Sequence, residues 1–186
     1  WRVAKIAIFV KEQFSMTIGF GNNQRPKIKL RQWQSRAKTK CMAQFLDGKR
    51  VWVQETVTGG GKTIFGREVS MGLYDESIID LIIILVPSEP ILNGWVSTYR
   101  GLLNSTSGPV YQSDTQVWVS TYAGYKAICN ALASRRTKGY LLIVEEYHHA
   151  EREAAWGQAV TTLSRGAKHV LMLSGTPWRT KGTIAL

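Results

Sequence analysis

The residues best placed to do chemistry are the glycines Gly59, Gly60 and Gly61 with Lys62 and Thr63 after them, the adjacent acids Glu145 and Glu146, and His148 beside them. Glycines lack a Cβ, so backbone N–H groups can turn inward around an anion. A helix that begins just after them adds its positive end. In such a cradle for a polyphosphate Lys62 would reach the β and γ phosphates and the Thr63 hydroxyl would ligate Mg2+. The pattern GxxxxGK[ST] fails at its first position, Thr56, whereas the shorter TGxGKT is met in full from Thr58 to Thr63. The alternative is a glycine-rich turn that binds nothing, and a strand before the loop with a helix after it weighs against that.

A phosphate loop needs one carboxylate for Mg2+ and another for the attacking water. "LLIVEEYHHA" (141–150) offers both at the end of an apolar run. Glu145 and Glu146 face the glycine loop if strand 140–146 lies beside strand 50–56. Paired carboxylates there are unfavourable unless a cation sits between them and the substrate. The alternative is a loop of solvated acids and histidines. Zinc is disfavoured, because no third and fourth ligand follows His148 and His149 at a suitable spacing.

These groups need a frame. Runs 50–56, 80–87, 116–121, 140–146 and 169–175 read as strands, and 62–73, 89–103, 123–135 and 151–164 as helices between or after them. Continuous apolar strands separated by helices predict a parallel sheet buried on both faces. The fold class is therefore α/β, with five strands and ligands at the strands' carboxyl ends. A further helix is expected over 31–48. Residues 1–28 read as a short β-rich N-terminal extension, the end of an upstream domain, and 29–186 as the α/β domain that carries the phosphate loop. Trp1 in place of an initiator Met predicts a piece of a longer protein.

The formal net charge is +11. Residues 1–50 hold twelve Lys and Arg against Glu12 and Asp47; the rest is nearly balanced. Such a block attracts polyanions, nucleic acid first, or it is a solvated face or one that meets a neighbouring domain. The run "IIDLIIILV" is too short to span a bilayer, so no membrane partner is expected. Cys41 and Cys129 form no metal spacing or disulfide framework, which suits a reducing, cytoplasmic setting. Trp52, Trp118 and Trp156 are read as core packing, and Trp33 as packing or as a neighbour of adenine.

Taken in order, these residues resemble the first RecA-like domain of superfamily 2 helicases and translocases, a P-loop NTPase. "LRQWQ" (30–34) is similar to the LRxxQ element and "TGGGKT" to motif I. "VPSEPILNGW" (86–95) is similar to motif Ia, "VSTYAGYK" (119–126) to the TTY element, "VEEYHHA" to a DEAH-type motif II and "LSGTPWR" (173–179) to motif III. The double histidine and the TGTPWR-like ending are most like restriction-enzyme motor subunits and phage or bacterial DNA helicases.

The resemblance implies that Gln34 recognises adenine and that Glu146 activates water. It implies that His148 couples to Ser174 and Thr176, and that Ser88 and Thr121 meet phosphates of a nucleic acid, DNA before RNA. It also implies a second RecA-like lobe. Glu145 stands where the family has the Mg2+-holding Asp, and Pro90 and Asn93 depart from motif Ia. The function expected is an ATP-driven motor on nucleic acid. The alternatives are a restriction-endonuclease motor subunit and a nucleotide-gated nucleic-acid-binding module with little hydrolysis.

Overall fold

The computed structural model describes residues 28–107, 114–149 and 154–175. The expected N-terminal extension lies outside these residues except for Ile28, and so does Thr176.

Among the described residues, six parallel strands form one sheet: β1 (Val51–Glu55), β2 (Leu81–Val86), β3 (Ser105–Ser107), β4 (Val117–Thr121), β5 (Tyr140–Glu145) and β6 (His169–Ser174). The helices are α1 (Gln32–Leu46), α2 (Lys62–Asp75), α3 (Glu89–Thr98), α4 (Tyr125–Ser134) and α5 (Ala154–Gly166). The order across the sheet is β1-β6-β5-β2-β4-β3. Every residue of β2, β5 and β6 is buried, as uninterrupted apolar runs require in a sheet covered on both faces.

Alternation assigns the two faces. Ile82, Ile84, Ile143, Leu171 and Leu173 meet Phe65, Val69 and Leu73 of α2 with Trp95 and Tyr99. Leu81, Ile83, Leu142, Val144 and Val170 meet Ile128 of α4 and Val160 and Leu163 of α5. Each such fully buried side chain contributes about 1.5–3 kcal/mol. Trp118 is buried, Trp156 stacks on Tyr122 with ring centroids 4.3 Å apart, and Trp33 packs on Phe65 at 5.7 Å. Among the described residues, no helix is long and apolar enough to cross a membrane.

Three expectations need correction. The sheet has a sixth strand, β3, a polar three-residue edge strand paired only with β4. And strand 140–146 does not lie beside strand 50–56: β6 sits between β5 and β1 and pairs with both. Helix 89–103 also ends earlier, at Thr98.

Candidate functional site

The glycine loop leaves β1, and α2 begins at Lys62 with Gly61 as its cap in the left-handed region, at φ 95°. A side chain at Gly61 would be strained there, and its Cβ would lie 2.6 Å from Gln34 Nε2. The first helical bond runs from the Phe65 N–H to the Gly61 carbonyl. The amides of Lys62, Thr63 and Ile64 therefore have no intrahelical acceptor. With no acidic residue in that first turn, they form a donor cluster at the positive end of α2. Thr58 and Gly59 are exposed, Gly60 is buried, and Thr63 is half-buried.

The register brings the acids to this loop although β6 intervenes. Glu145, the last residue of β5, pairs with Leu173, and Glu55, the last residue of β1, pairs with Ser174. Glu146 then turns with φ 54°, a left-handed conformation that costs a non-glycine residue about 1–3 kcal/mol. That turn directs its carboxylate across the end of β6: Glu146 Oε1 is 3.5 Å from Lys62 Nζ, and Oε2 accepts the Gly175 N–H at 3.0 Å. His148 Nδ1 lies 2.9 Å from Ser174 Oγ and 3.4 Å from Glu146 Oε2. The Tyr147 hydroxyl donates to Glu55 Oε1 at 2.6 Å, and that of Tyr122 to the Glu145 carbonyl at 2.8 Å, which pins the turn on both sides.

Glu145 is 5% exposed and its Oε2 is buried without a hydrogen-bond partner. Burial pushes its carboxyl up to about 7; Lys62 and the Trp95 indole oppose that rise, and Glu146 adds to it. A buried, underpartnered carboxylate beside a second carboxylate and a single lysine is an environment that a divalent cation would neutralise. Glu145 with the Thr63 hydroxyl supplies hard oxygen donors of the kind Mg2+ takes. The donor set thus fits Mg2+, and the amide cluster fits phosphate oxygens.

Gln34 is held to the loop. Its Oε1 accepts the Arg31 N–H at 2.7 Å and its Nε2 donates to the Gly61 carbonyl at 2.9 Å, which leaves one amide hydrogen for a base. Ser88, at the start of α3, and Thr121, at the end of β4, sit at the carboxyl ends of neighbouring strands, since Val86 pairs with Thr121. Both are half-buried.

Sequence reasoning missed two residues. Arg31 Nη1 donates to the carbonyls of Gly59 at 3.4 Å and Gly60 at 3.1 Å, bracing the loop from outside. Its position in a basic run hid this, although its nearness to Gln34 was a signal. Gly175 lies at the centre of the site: a Cβ there would come within 2.7 Å of Lys62 Nζ, 3.0 Å of Thr58 Oγ1 and 3.1 Å of Glu146 Oε1. Only the absence of a side chain lets these groups converge.

A family profile described as "Type III restriction enzyme, res subunit" matches residues 27–179. The chain belongs to this family. It is a superfamily 2 RecA-like ATPase domain, of a helicase and restriction-enzyme motor type that in general uses ATP with Mg2+. An uncharacterized protein of Mycobacterium leprae is 29% identical over 160 residues, covering 81% of this chain and 26% of the relative. One of Mycobacterium tuberculosis is 26% identical over 161 residues, with the same coverage. The res-family chain thus spans about a quarter of the length of these relatives.

Among solved structures, it is similar to the Sulfolobus solfataricus SWI2/SNF2 ATPase core in complex with double-stranded DNA, with a TM-score of 0.66 and 19% identity over 81% of this chain and 33% of that one. The Type ISP restriction-modification enzyme LlaGI, a nuclease-deletion mutant in complex with a DNA substrate mimic, gives 0.63 and 20% over 81% and 18%. The Pyrococcus furiosus Hef helicase domain gives 0.62 and 20% over 81% and 34%. These likenesses show the fold.

Proposed function

We propose that this domain binds ATP and Mg2+ and couples hydrolysis to movement along DNA. The observation that carries the reading is the convergence of Lys62, Glu146 and Gly175 within hydrogen-bonding and ion-pair distance at the mouth of the amide cluster, with Glu145 buried beside them. The loop amides of residues 59–63 and Lys62 hold the triphosphate, Thr63 and Glu145 hold the metal, and Gln34 offers its remaining N–H to the adenine edge. Bound Mg2+ supplies charge neutralisation at the phosphate oxygens. Glu146, already poised by its hydrogen bond from Gly175, orients the attacking water and takes its proton. The His148–Ser174 contact passes the state of that carboxylate to β6 and on toward Thr176. Ser88 and Thr121 offer small hydroxyls to the phosphates of a tracked strand.

A second RecA-like lobe would supply the arginine that stabilises charge in transfer, worth about 10³–10⁵ in rate. Without that lobe the domain hydrolyses ATP very slowly. The basic block between Arg2 and Arg50 favours nucleic acid by charge, and the whole assembly is cytoplasmic in this reading. A second reading, a nucleotide-gated DNA-binding module, is favoured by one observation: Glu145 stands where the family has Asp, and its longer side chain shifts the carboxylate that would hold the metal.

The test is ATP turnover by the full-length protein with and without duplex DNA, at increasing salt. A motor is stimulated by DNA, and its DNA affinity falls steeply with salt, by about 0.9 logarithmic units per neutralised phosphate for each decade. Turnover that DNA leaves unchanged contradicts the motor, and DNA binding with negligible turnover selects the gated module.

A further inference from the structure

Two buried polar atoms of the core lack hydrogen-bond partners where the core meets the phosphate site: Trp95 Nε1 and Glu145 Oε2. An indole N–H can only donate and an ionised carboxylate can only accept, so the pair is complementary. Both groups lie beside Leu173, which pairs with Glu145 in the sheet and whose Cδ1 meets the Trp95 ring at Gly66, yet neither atom has a hydrogen-bond partner.

The ring has little room to move. Trp95 is 0% exposed and stacks with Tyr99 at 6.4 Å. A methyl group placed on Gly66 of α2 would come 2.8 Å from Trp95 Cη2 and 3.2 Å from Leu173 Cδ1, so the indole fills the gap that this glycine leaves between α2 and β6. Below the carboxyl, the Glu145 backbone is tied by the Tyr122 hydroxyl. With the indole fixed and the Glu145 main chain fixed, the free variable is the Glu145 side chain. Glu has one more torsion than Asp, and a metal that demands near-ideal octahedral geometry gains from a second anchor on it.

Resting on the nucleotide-binding reading above, we infer that Trp95 is a positioning residue for the metal-holding carboxylate: its indole N–H closes on Glu145 Oε2 and fixes which oxygen is presented to a divalent cation. Trp95 lies on α3, the helix that Ser88 caps. The helix that begins at the proposed strand path therefore also carries the donor proposed for the metal-holding group. A displacement of α3 shifts the donor and changes the affinity for metal without any contact to the nucleotide.

The test is the Mg2+ dependence of ATP binding, followed by calorimetry across a range of Mg2+ and in EDTA. Trp95→Phe keeps the ring and removes the donor. It raises the half-saturating Mg2+ by about tenfold and leaves the EDTA affinity within about twofold, the size typical of losing an outer-shell partner. In a Glu145→Asp background the shorter side chain withdraws from the indole, and Trp95→Phe produces no further shift. Should the Phe variant unfold, benzothienylalanine at position 95, with sulfur in place of N–H, preserves the shape and gives the same shift. An unchanged Mg2+ midpoint, an equal loss in EDTA, or an equal shift in the Asp background overturns the inference while the nucleotide site stands. Wild-type protein that binds ATP with no dependence on Mg2+ overturns the metal reading itself.

Discussion

Replacing Lys62 by Ala lowers ATP affinity by at least about 100-fold, the loss expected when a charge-assisted contact of roughly 3 kcal/mol is removed from a buried site. Lys62 is 7% exposed, and its Nζ sits 3.5 Å from Glu146 Oε1. It is also the cation that opposes the upward push on Glu145. The substitution therefore strips the phosphates of their countercharge and leaves two carboxylates facing each other. Both effects work against an anionic ligand. Because the second also weakens the unliganded fold, Lys62→Met, which keeps the aliphatic stem, is the matched control. Thermal unfolding of both variants separates loss of binding from loss of structure. Unchanged ATP affinity in a folded Lys62 variant contradicts the placement of the triphosphate.

Glu146→Gln has the opposite signature. An amide oxygen still accepts the Gly175 N–H that Glu146 Oε2 accepts at 3.0 Å, so the local turn is retained. The amide cannot take a proton from water. Turnover in the full-length protein falls by about 10²–10⁴, the range for removal of a general base. ATP binding is kept or modestly tightened, because Lys62 no longer has an anionic competitor at 3.5 Å. Single-turnover hydrolysis with binding measured in parallel checks both halves. A variant that binds weakly yet hydrolyses at the wild-type rate contradicts the role given to Glu146.

The two variants together distinguish a binding lysine from a reacting carboxylate, and both were legible as residue types. The glycine loop announced itself through composition and order alone. The strands were legible for a related reason: β2, β5 and β6 are unbroken apolar runs, and only a sheet covered on both faces buries every residue of such a run. The edge strand β3 escaped because Ser105–Ser107 carries no apolar signal and is held by pairing with β4. The neighbour of β1 was misassigned because periodicity gives each strand its faces but says nothing of the order in which strands lie. The last of the described strands, β6, enters between β1 and β5, and Glu146 reaches Lys62 across its end through a left-handed turn.

That turn is a backbone property of a residue whose side chain had suggested chemistry alone. Gly175 was invisible for the converse reason, since its contribution is a missing side chain, and close approach to Lys62, Thr58 and Glu146 is a fact of three dimensions. Arg31 contacts the carbonyls of Gly59 and Gly60, nearly thirty residues away in sequence, and its place in a basic run masked that role despite its nearness to Gln34. Gln34 was read as a base contact. The structure adds that its Nε2 already donates to the Gly61 carbonyl while its Oε1 accepts the Arg31 N–H, so base recognition and loop shape share one side chain.

The central claim concerns one ion and one cradle, and the most direct measurement is anomalous diffraction from crystals grown with Mn2+ and a non-hydrolysable ATP analogue. The account places the manganese peak between the Thr63 hydroxyl and the Glu145 carboxylate, with the β and γ phosphates on the amides of residues 59–63. A manganese peak away from Glu145, or a triphosphate seated elsewhere on the sheet, contradicts it.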